Sequence, residues 1–112
     1  MANKPSDLVQ GTLEMLILKT LALEAMHGYG IAIRIEQISS GVFRVNPGSL
    51  FPALSRMERT GRIKAEWRAT ENNRRAKFYS LTRLGRGQLD REAANWLRLS
   101  GAISQVVKLE EI

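Results

Sequence analysis

Residues 46–61 read N-P-G-S-L-F-P-A-L-S-R-M-E-R-T-G, and this stretch has the marks of a single helix. Its apolar side chains recur at i, i+3, i+4 and i+7, which places them on one face that packs on a core: Leu50, Ala53, Leu54 and Met57. Pro47 after Asn46 is typical of a first helical position behind an N-cap, and Gly61 is typical of a left-handed C-terminal cap. Because Pro52 has no amide hydrogen, we expect a loose first turn from Pro47 and a regular helix from Ser49.

The opposite face of this helix lacks the mixture of Glu and Lys that covers an ordinary solvated helix. It carries small and basic residues, with an aromatic ring at its margin: Gly48, Ser49, Pro52, Ser55, Arg56 and Arg59, and at the margin Phe51. Such a surface suits close approach to polyanionic phosphate. Ser55 and Arg56 lie in the middle of the helix, where a side chain can reach base edges in a major groove. We therefore interpret the stretch as a recognition helix.

A β-hairpin is predicted directly after the helix. Residues 62–68 alternate apolar Ile63, Ala65 and Trp67 with charged Lys64 and Glu66, which is the pattern of a strand with one buried face. Residues 77–81 form a second β-rich run. The turn and the start of this run offer amide and cationic donors for phosphate or a minor groove: Asn72, Asn73, Arg74, Arg75 and Lys77. A recognition helix followed by a basic-tipped hairpin predicts a winged helix-turn-helix, mainly α with a small β-hairpin.

The positive charge of the chain is concentrated in this region. The chain has 17 Lys and Arg against 11 Asp and Glu, which gives a net charge of +6. Between Arg56 and Lys77 there are eight basic and three acidic residues, so this segment contributes 8 − 3 = +5. Such clustering is typical of a nucleic-acid interface, and a solvated basic hairpin is the alternative interpretation. We expect strongly salt-dependent binding through about five or six phosphate contacts per subunit.

The composition excludes several classes of protein. A chain of 112 residues is long enough for one domain with a modest core. It has no Cys and one His, so disulfides and thiolate metal sites are excluded and we expect no metal or other cofactor. It has no glycine-rich phosphate loop and no nucleophile with a base at motif spacing, so we expect that it is not an enzyme. No apolar run approaches about 20 residues, so we expect no membrane association and a cytoplasmic protein.

A first helix is expected from residue 11 or 12 to about residue 24. Its apolar stripe is wider than a small monomer can bury, because apolar residues fall on more than one face: Leu13, Met15, Leu16, Ile17 and Leu18. A partner subunit would cover this surface. The alternative is that Leu8 and Val9 fold back over it.

The first helix of the helix-turn-helix is expected to begin just after His27, which either caps it or packs at its start. Tyr29 is assigned a packing role, and phosphate contact by its hydroxyl is the alternative. Residues 42–45 are a candidate third strand beside the hairpin.

Thr82 is expected to cap a long final helix. Residues recur near helical spacing along one stripe of this helix: Leu84, Leu89, Ala93, Trp96, Leu97 and Ser100. Gly101 is a candidate end or bend, but the spacing resumes beyond it, so we interpret the tail as a continued amphipathic helix: Ile103, Val106, Val107 and Leu109. A long apolar stripe of this kind needs a partner, unless it folds onto its own domain.

Three ordered segments resemble the PadR family of bacterial transcriptional regulators. They are H-G-Y-G-I at 27–31, N-P-G-S-L-F-P-A-L-S-R-M-E-R-T-G-R-I at 46–63 and F-Y-S-L-T-R-L-G at 78–85. The resemblance implies a winged helix-turn-helix domain over 1–82 and a C-terminal dimerisation helix over 83–112, within one compact unit, as in the short-tailed members. The family usually has Tyr where this chain has Phe51, so a hydrogen bond from that hydroxyl is lost here.

The resemblance also implies a function, namely a homodimeric repressor that binds a palindromic operator in double-stranded DNA. The first and final helices would form the dimer interface: Leu13, Leu16, Ile17, Leu89, Ala93, Trp96 and Leu97. Some members respond to phenolic acids or other aromatic compounds, so a small aromatic effector between the final helices near Trp96 is a further implication. The alternatives are a winged-helix protein-interaction module without specific DNA binding, and a winged helix that binds RNA.

Overall fold

The computed structural model describes residues 12–110, and these form four α-helices and three β-strands. In chain order they are α1 (Thr12–Leu23), β1 (Met26–His27), α2 (Gly28–Ile38), α3 (Pro47–Arg59), β2 (Ile63–Ala69), β3 (Arg75–Leu81) and α4 (Arg83–Val107). The predicted fold class is confirmed, with α2 and α3 as the helix-turn-helix and the β2–β3 hairpin as the wing. Leu8 and Val9, the alternative cover for α1, lie outside the described residues.

The three strands form one antiparallel sheet in the order β1-β3-β2. β2 and β3 pair along their whole length, and β1 pairs with Tyr79 and Phe78 on the other side of β3. The prediction that residues 42–45 supply the third strand was therefore wrong. Within the segment only Phe43 forms an isolated β-bridge, and Val45 is buried in the core just before the chain enters α3.

The core lies between α1, α2 and α3, with single residues added by the sheet and α4. α3 buries the four residues that the periodicity predicted: Leu50, Ala53, Leu54 and Met57. The other core residues are Ile17, Leu18 and Leu21 of α1, Ile31, Ala32 and Ile35 of α2, and Val45, Ile63, Tyr79 and Leu89. Because α3 is held through one face, its opposite face stays in solvent.

The start of α3 is more regular than expected. The Asn46 side chain accepts a hydrogen bond from the amide of Gly48 at 2.7 Å, and the amide of Leu50 donates to the Asn46 carbonyl at 2.9 Å. Regular helix thus begins at Pro47, and the expected loose turn before Ser49 was wrong. Pro52 lies inside the helix, where it removes one ladder hydrogen bond close to the exposed first turn.

The end of α3 and the start of α4 are joined by a short network. Gly61 adopts φ of +78°, the left-handed conformation predicted for it, and the chain turns into β2. The Thr82 hydroxyl accepts from the amide of Gly85 at 3.1 Å and donates to the Gly61 carbonyl at 2.7 Å. The predicted cap at Thr82 is confirmed. α4 then runs through Gly101 to Val107 without a break, so the predicted helical tail is confirmed as far as Val107, and Leu109 lies past the helix end.

Candidate nucleic-acid interface

The exposed arc of α3 consists of the residues that the sequence assigned to it. Gly48, Ser49, Pro52, Ser55, Arg56 and Arg59 are all exposed, and Phe51 is half-buried. The Asn46 cap leaves the first turn of the helix in solvent, with small side chains that let a groove edge approach the backbone closely. The shape and chemistry of this arc fit the major groove of a duplex.

Tyr29 lies beside this arc at the start of α2, where His27 caps the helix by accepting from the amide of Gly30 at 3.1 Å. The ring of Tyr29 meets that of Phe51 edge to face at 5.5 Å, yet the side chain is 60% exposed. The packing role predicted for Tyr29 was therefore wrong for most of the side chain, since only the contact with Phe51 packs. A signal was present, since Tyr29 lies off the buried face that Ile31 defines.

An open cleft of about 460 Å³ separates these two aromatic rings from the wing. Its lining combines the aromatic edge with three of the predicted DNA-binding cations: Tyr29, Phe51, Arg74, Arg75 and Lys77 among others. The cleft therefore joins the start of α2, the start of α3 and the wing into one continuous surface. The surface therefore offers cations for phosphate groups and apolar ring edges for contact with sugars.

The wing tip carries the four polar residues that the sequence placed there. Asn72, Asn73, Arg74 and Arg75 are exposed, and Asn73 takes φ of +58° in the turn. The turn is closed by the amide of Thr70, which donates to the carbonyl of Arg74 at 2.6 Å. The guanidinium groups thus project from a defined turn.

Trp67 was predicted to be buried and is 58% exposed. The inward face of β2 leaves the core along its length, since Ile63 is buried, Ala65 is half-buried and Trp67 is exposed. The cross-strand partner of Trp67 is Lys77, and the guanidinium carbon of Arg75 lies 5.8 Å from the centroid of the Trp67 ring. The alternation of apolar and charged residues along β2 does not show where the core ends. Trp67 lies past that edge, on the basic surface of the wing.

Lys77 ties the wing to the recognition helix. Its ammonium lies 2.9 Å from the carboxylate of Glu58 on α3, and this hydrogen bond raises the pKa of Lys77. Burial raises the pKa of the neighbouring Tyr79, so the phenol stays protonated at neutral pH. β3 is thus joined to α3 by the ion pair between Lys77 and Glu58.

A carboxylate on α1 forms a second ion pair with α3. Glu14 of α1 accepts from Arg56 through Nη2 at 2.7 Å and Nε at 3.0 Å. The same carboxylate lies 3.8 Å from the guanidinium of Arg62, which immediately precedes β2. Arg56, predicted as a base-reading residue, is therefore already engaged by the protein.

The ion pairs divide the basic segment into two groups. Four of its eight cations lie within 4.0 Å of a carboxylate: Arg56, Arg62, Arg68 and Lys77. The other four have no ion pair within residues 12–110: Arg59, Lys64, Arg74 and Arg75. These four are the cations that can approach phosphate without breaking an ion pair.

The residues predicted for the dimer interface fall into three sets. Ile17 and Leu89 are 0% and 5% exposed inside the protomer, so they are core residues and are not available as surface anchors. Leu13, Leu16 and Ala93 are half-buried and pack against the core. Trp96 and Leu97 are 50% and 70% exposed, and the large apolar residues beyond them are also exposed, four on α4 and one just past its end: Leu99, Ile103, Val106, Val107 and Leu109.

In the part of the chain that the structure describes, no three His, Cys, Asp or Glu side chains converge as metal ligands would. No helix among residues 12–110 is long and apolar enough to cross a membrane.

A helix-turn-helix with a two-stranded wing defines the winged-helix class of protein. Within that class, the chain belongs to the PadR-like family of transcriptional regulators, whose family model matches residues 17–91. The resemblance inferred from the three sequence motifs is thereby confirmed.

Solved structures show the same fold. A PadR-like transcriptional regulator from Bacillus cereus superposes with a TM-score of 0.79 at 26% identity, covering 90% of this chain and 96% of that one. A PadR family transcription regulator from Clostridium difficile gives a TM-score of 0.73 at 25% identity, covering 87% and 99%. An uncharacterised 37.1 kDa transposon protein of Streptomyces fradiae is 39% identical over 99 residues. That match covers 88% of this chain and 27% of the relative, so the chain spans about a quarter of the relative's length.

Proposed function

We propose that the protein is a homodimeric, sequence-specific DNA-binding repressor. The observation that carries the proposal is the continuous surface made by the exposed arc of α3, the Tyr29–Phe51 pair and the wing tip. On that surface, three cations have no ion pair within residues 12–110: Arg59, Arg74 and Arg75. A protein-interaction module would have little use for so many unneutralised cations around a helix with small side chains.

The proposal assigns different tasks to the two ends of this surface. The first two turns of α3 enter the major groove, where Ser49 and Ser55 offer hydroxyls to base edges and Phe51 and Pro52 can meet thymine methyl groups. Phosphates are bound by the cations around this helix and by the amides and guanidinium groups of the wing tip: Arg59, Lys77, Asn72, Asn73, Arg74 and Arg75. Base contacts would determine which operator sequence is bound, and the phosphate contacts of the wing would determine how tightly DNA is bound.

Selection from a random duplex library, followed by affinity measurements across a salt series, tests this function. With the four cations per subunit that the proposal assigns to phosphate, the log–log salt slope should be about −3.6 per subunit, or about −7 for a dimer. A selected duplex should bind at least about a thousandfold more tightly than scrambled duplex. A slope near zero, or equal binding to scrambled DNA or to RNA of the same length, would contradict sequence-specific DNA binding.

The dimer is proposed to form through α1 and the distal half of α4. The support is that every apolar residue of α4 from Trp96 onward is exposed, although helical spacing brings most of them to one stripe. A twofold interface would cover this stripe and present two recognition helices to a palindromic operator. A bound repressor of this kind would block transcription by occupying its site. The small aromatic effector implied by the family would lie near Trp96, where such a dimer leaves an indole ring at the interface.

Replacing Trp96 and Leu97 together by Ala is expected to weaken self-association. Truncating one large anchor commonly costs about 2 kcal/mol, so the dimer dissociation constant should rise at least about 30-fold. Equilibrium sedimentation over micromolar concentrations measures it. Ile38→Ala, which removes an exposed aliphatic group from α2, is the matched control and should leave the constant unchanged. A wild-type protein that is monomeric at high micromolar concentration would rule out this interface.

A further inference from the structure

Glu14 of α1 forms ion pairs with Arg56 of the recognition helix and with Arg62, which directly precedes the wing. We infer that Glu14 is a positioning residue that sets the tilt of α3 against α1 and α4, and thereby the half-site spacing that the dimer accepts. On this inference Arg56 acts through Glu14 and does not read bases. The inference rests on the proposed function, because a tilt has a consequence only if two α3 helices bind one duplex.

The geometry of the contact favours a structural task. Nε and Nη2 of Arg56 both donate to one carboxylate oxygen, Oε2, while Oε1 faces Arg62. Two donors on one oxygen hold the guanidinium in one orientation more firmly than a single hydrogen bond does. The Glu14 side chain is only 17% exposed. A carboxylate that deep is costly without a partner, so its place in the fold depends on these arginines.

The apolar packing of α3 does not by itself fix the roll and tilt of the helix, and the ion pairs restrict both. Leu50, Leu54 and Met57 hold the helix at a fixed distance from the core, but an apolar stripe resists rolling and tilting weakly because it is non-directional. Glu14 holds Arg56 from the α1 side, and Lys77 holds Glu58 from the β3 side. α3 is thus braced by charge on both flanks.

The position of α1 connects this brace to the proposed dimer. Ile17 and Leu18 anchor α1 in the core, and α1 also packs against α3 and α4. In a dimer built on α1 and α4, the angle between α1 and α3 is repeated by the twofold axis. A small change in that angle therefore moves the two recognition helices apart or together, and the preferred distance between operator half-sites changes with it.

Glu14→Gln separates this role from direct contact with DNA. The change removes a negative charge near the surface and frees Arg56, so electrostatics alone would keep or raise affinity for any duplex. On the positioning role, affinity for the selected operator should fall about tenfold while affinity for scrambled duplex stays equal or rises. Selection with the variant should also accept half-sites one base pair closer or farther apart. Arg56→Gln should cause the same loss of operator affinity, and Glu14→Gln with Arg56→Gln should be no worse than either alone.

Glu24→Gln is the matched control, because it removes a carboxylate from an exposed ion pair with Arg34 of α2, and neither partner is ion-paired with α3 or the wing within residues 12–110. Circular dichroism and thermal unfolding of each variant verify that it is folded. Unchanged operator affinity and spacing in Glu14→Gln would overturn the inference, as would parallel losses on operator and scrambled duplex. Relaxed preference at a single base position, with spacing unchanged, would show that Arg56 reads that base and would also overturn it. If the wild-type protein has no sequence preference, the proposed function itself fails.

Discussion

Replacing Arg74 and Arg75 together by Ala is expected to lower the affinity of the dimer for any duplex about a thousandfold at about 0.15 M salt. Both side chains are exposed at the wing tip and have no ion pair within residues 12–110. Two arginines in each of two subunits make four, and each phosphate neutralised contributes about 0.9 to the salt slope. The slope should fall from about −7 to about −3.6, and operator and scrambled duplex should lose affinity alike, because backbone contacts carry no sequence information.

Arg83→Ala with Arg86→Ala is the control for this experiment. These arginines are also exposed, but they lie in the first turn of α4, at the opposite end of β3 from the wing tip. The seven residues of β3 separate the two sites by about 20 Å. Their removal takes away the same charge and should change the slope little. Equal losses for the two double variants would mean that net charge, and not the wing, attracts the duplex. A loss confined to the operator would instead make the wing a base-reading element.

Gly85→Ala is expected to destabilise the protein by about 3 kcal/mol or more. A Cβ at this position would lie 2.1 Å from the carbonyl oxygen of Arg62 and 2.8 Å from a methyl carbon of Leu81. That carbonyl is backbone and already accepts from the amide of Thr82 at 3.2 Å, so it cannot move without disturbing the network that starts α4. The helix would have to lift away, which loses the Thr82 cap as well, and each lost contact of this kind costs about 1 kcal/mol.

Thermal unfolding measures this change, and for a chain of this size the midpoint should fall by roughly 12 to 24 °C. Gly87→Ala is the matched control on the same helix, since its Cβ would meet only the flexible end of Arg91 at 3.5 Å. Ala is the better helix former, so Gly87→Ala should leave stability unchanged or raise it by up to about 1 kcal/mol. If the two substitutions behave alike, the close approach of α4 to Arg62 does not hold in solution.

The local elements of this protein follow from residues close together in the chain. The i, i+3, i+4, i+7 spacing of Leu50, Ala53, Leu54 and Met57 predicts the buried face of α3, because a helix repeats every 3.6 residues whatever surrounds it. The caps at His27 and Thr82 are equally local, since each accepts from an amide three residues on. The motifs made from such elements sufficed to identify the family, and the family model confirms it.

Contacts between distant residues decided what local patterns could not. The third strand came from Met26–His27 because its backbone meets β3, and two residues are too few to show a pattern of their own. Trp67 keeps the alternation of a buried residue, but it lies past the edge of the core, and only the packed structure has an edge. The helical spacing of Leu89 predicted an exposed interface residue, but the start of α4 packs on the core and buries it.

The ion pair between Glu14 and Arg56 joins residues 42 positions apart and changes the meaning of a mid-helix arginine. The sequence by itself therefore determined the four helices, the hairpin, the charge of the interface and the family, because those depend on short-range chemistry. The tertiary structure alone decided which cations are neutralised and which apolar residues are exposed. Both depend on which surfaces come within a few ångströms of each other, and no spacing along the chain encodes that distance.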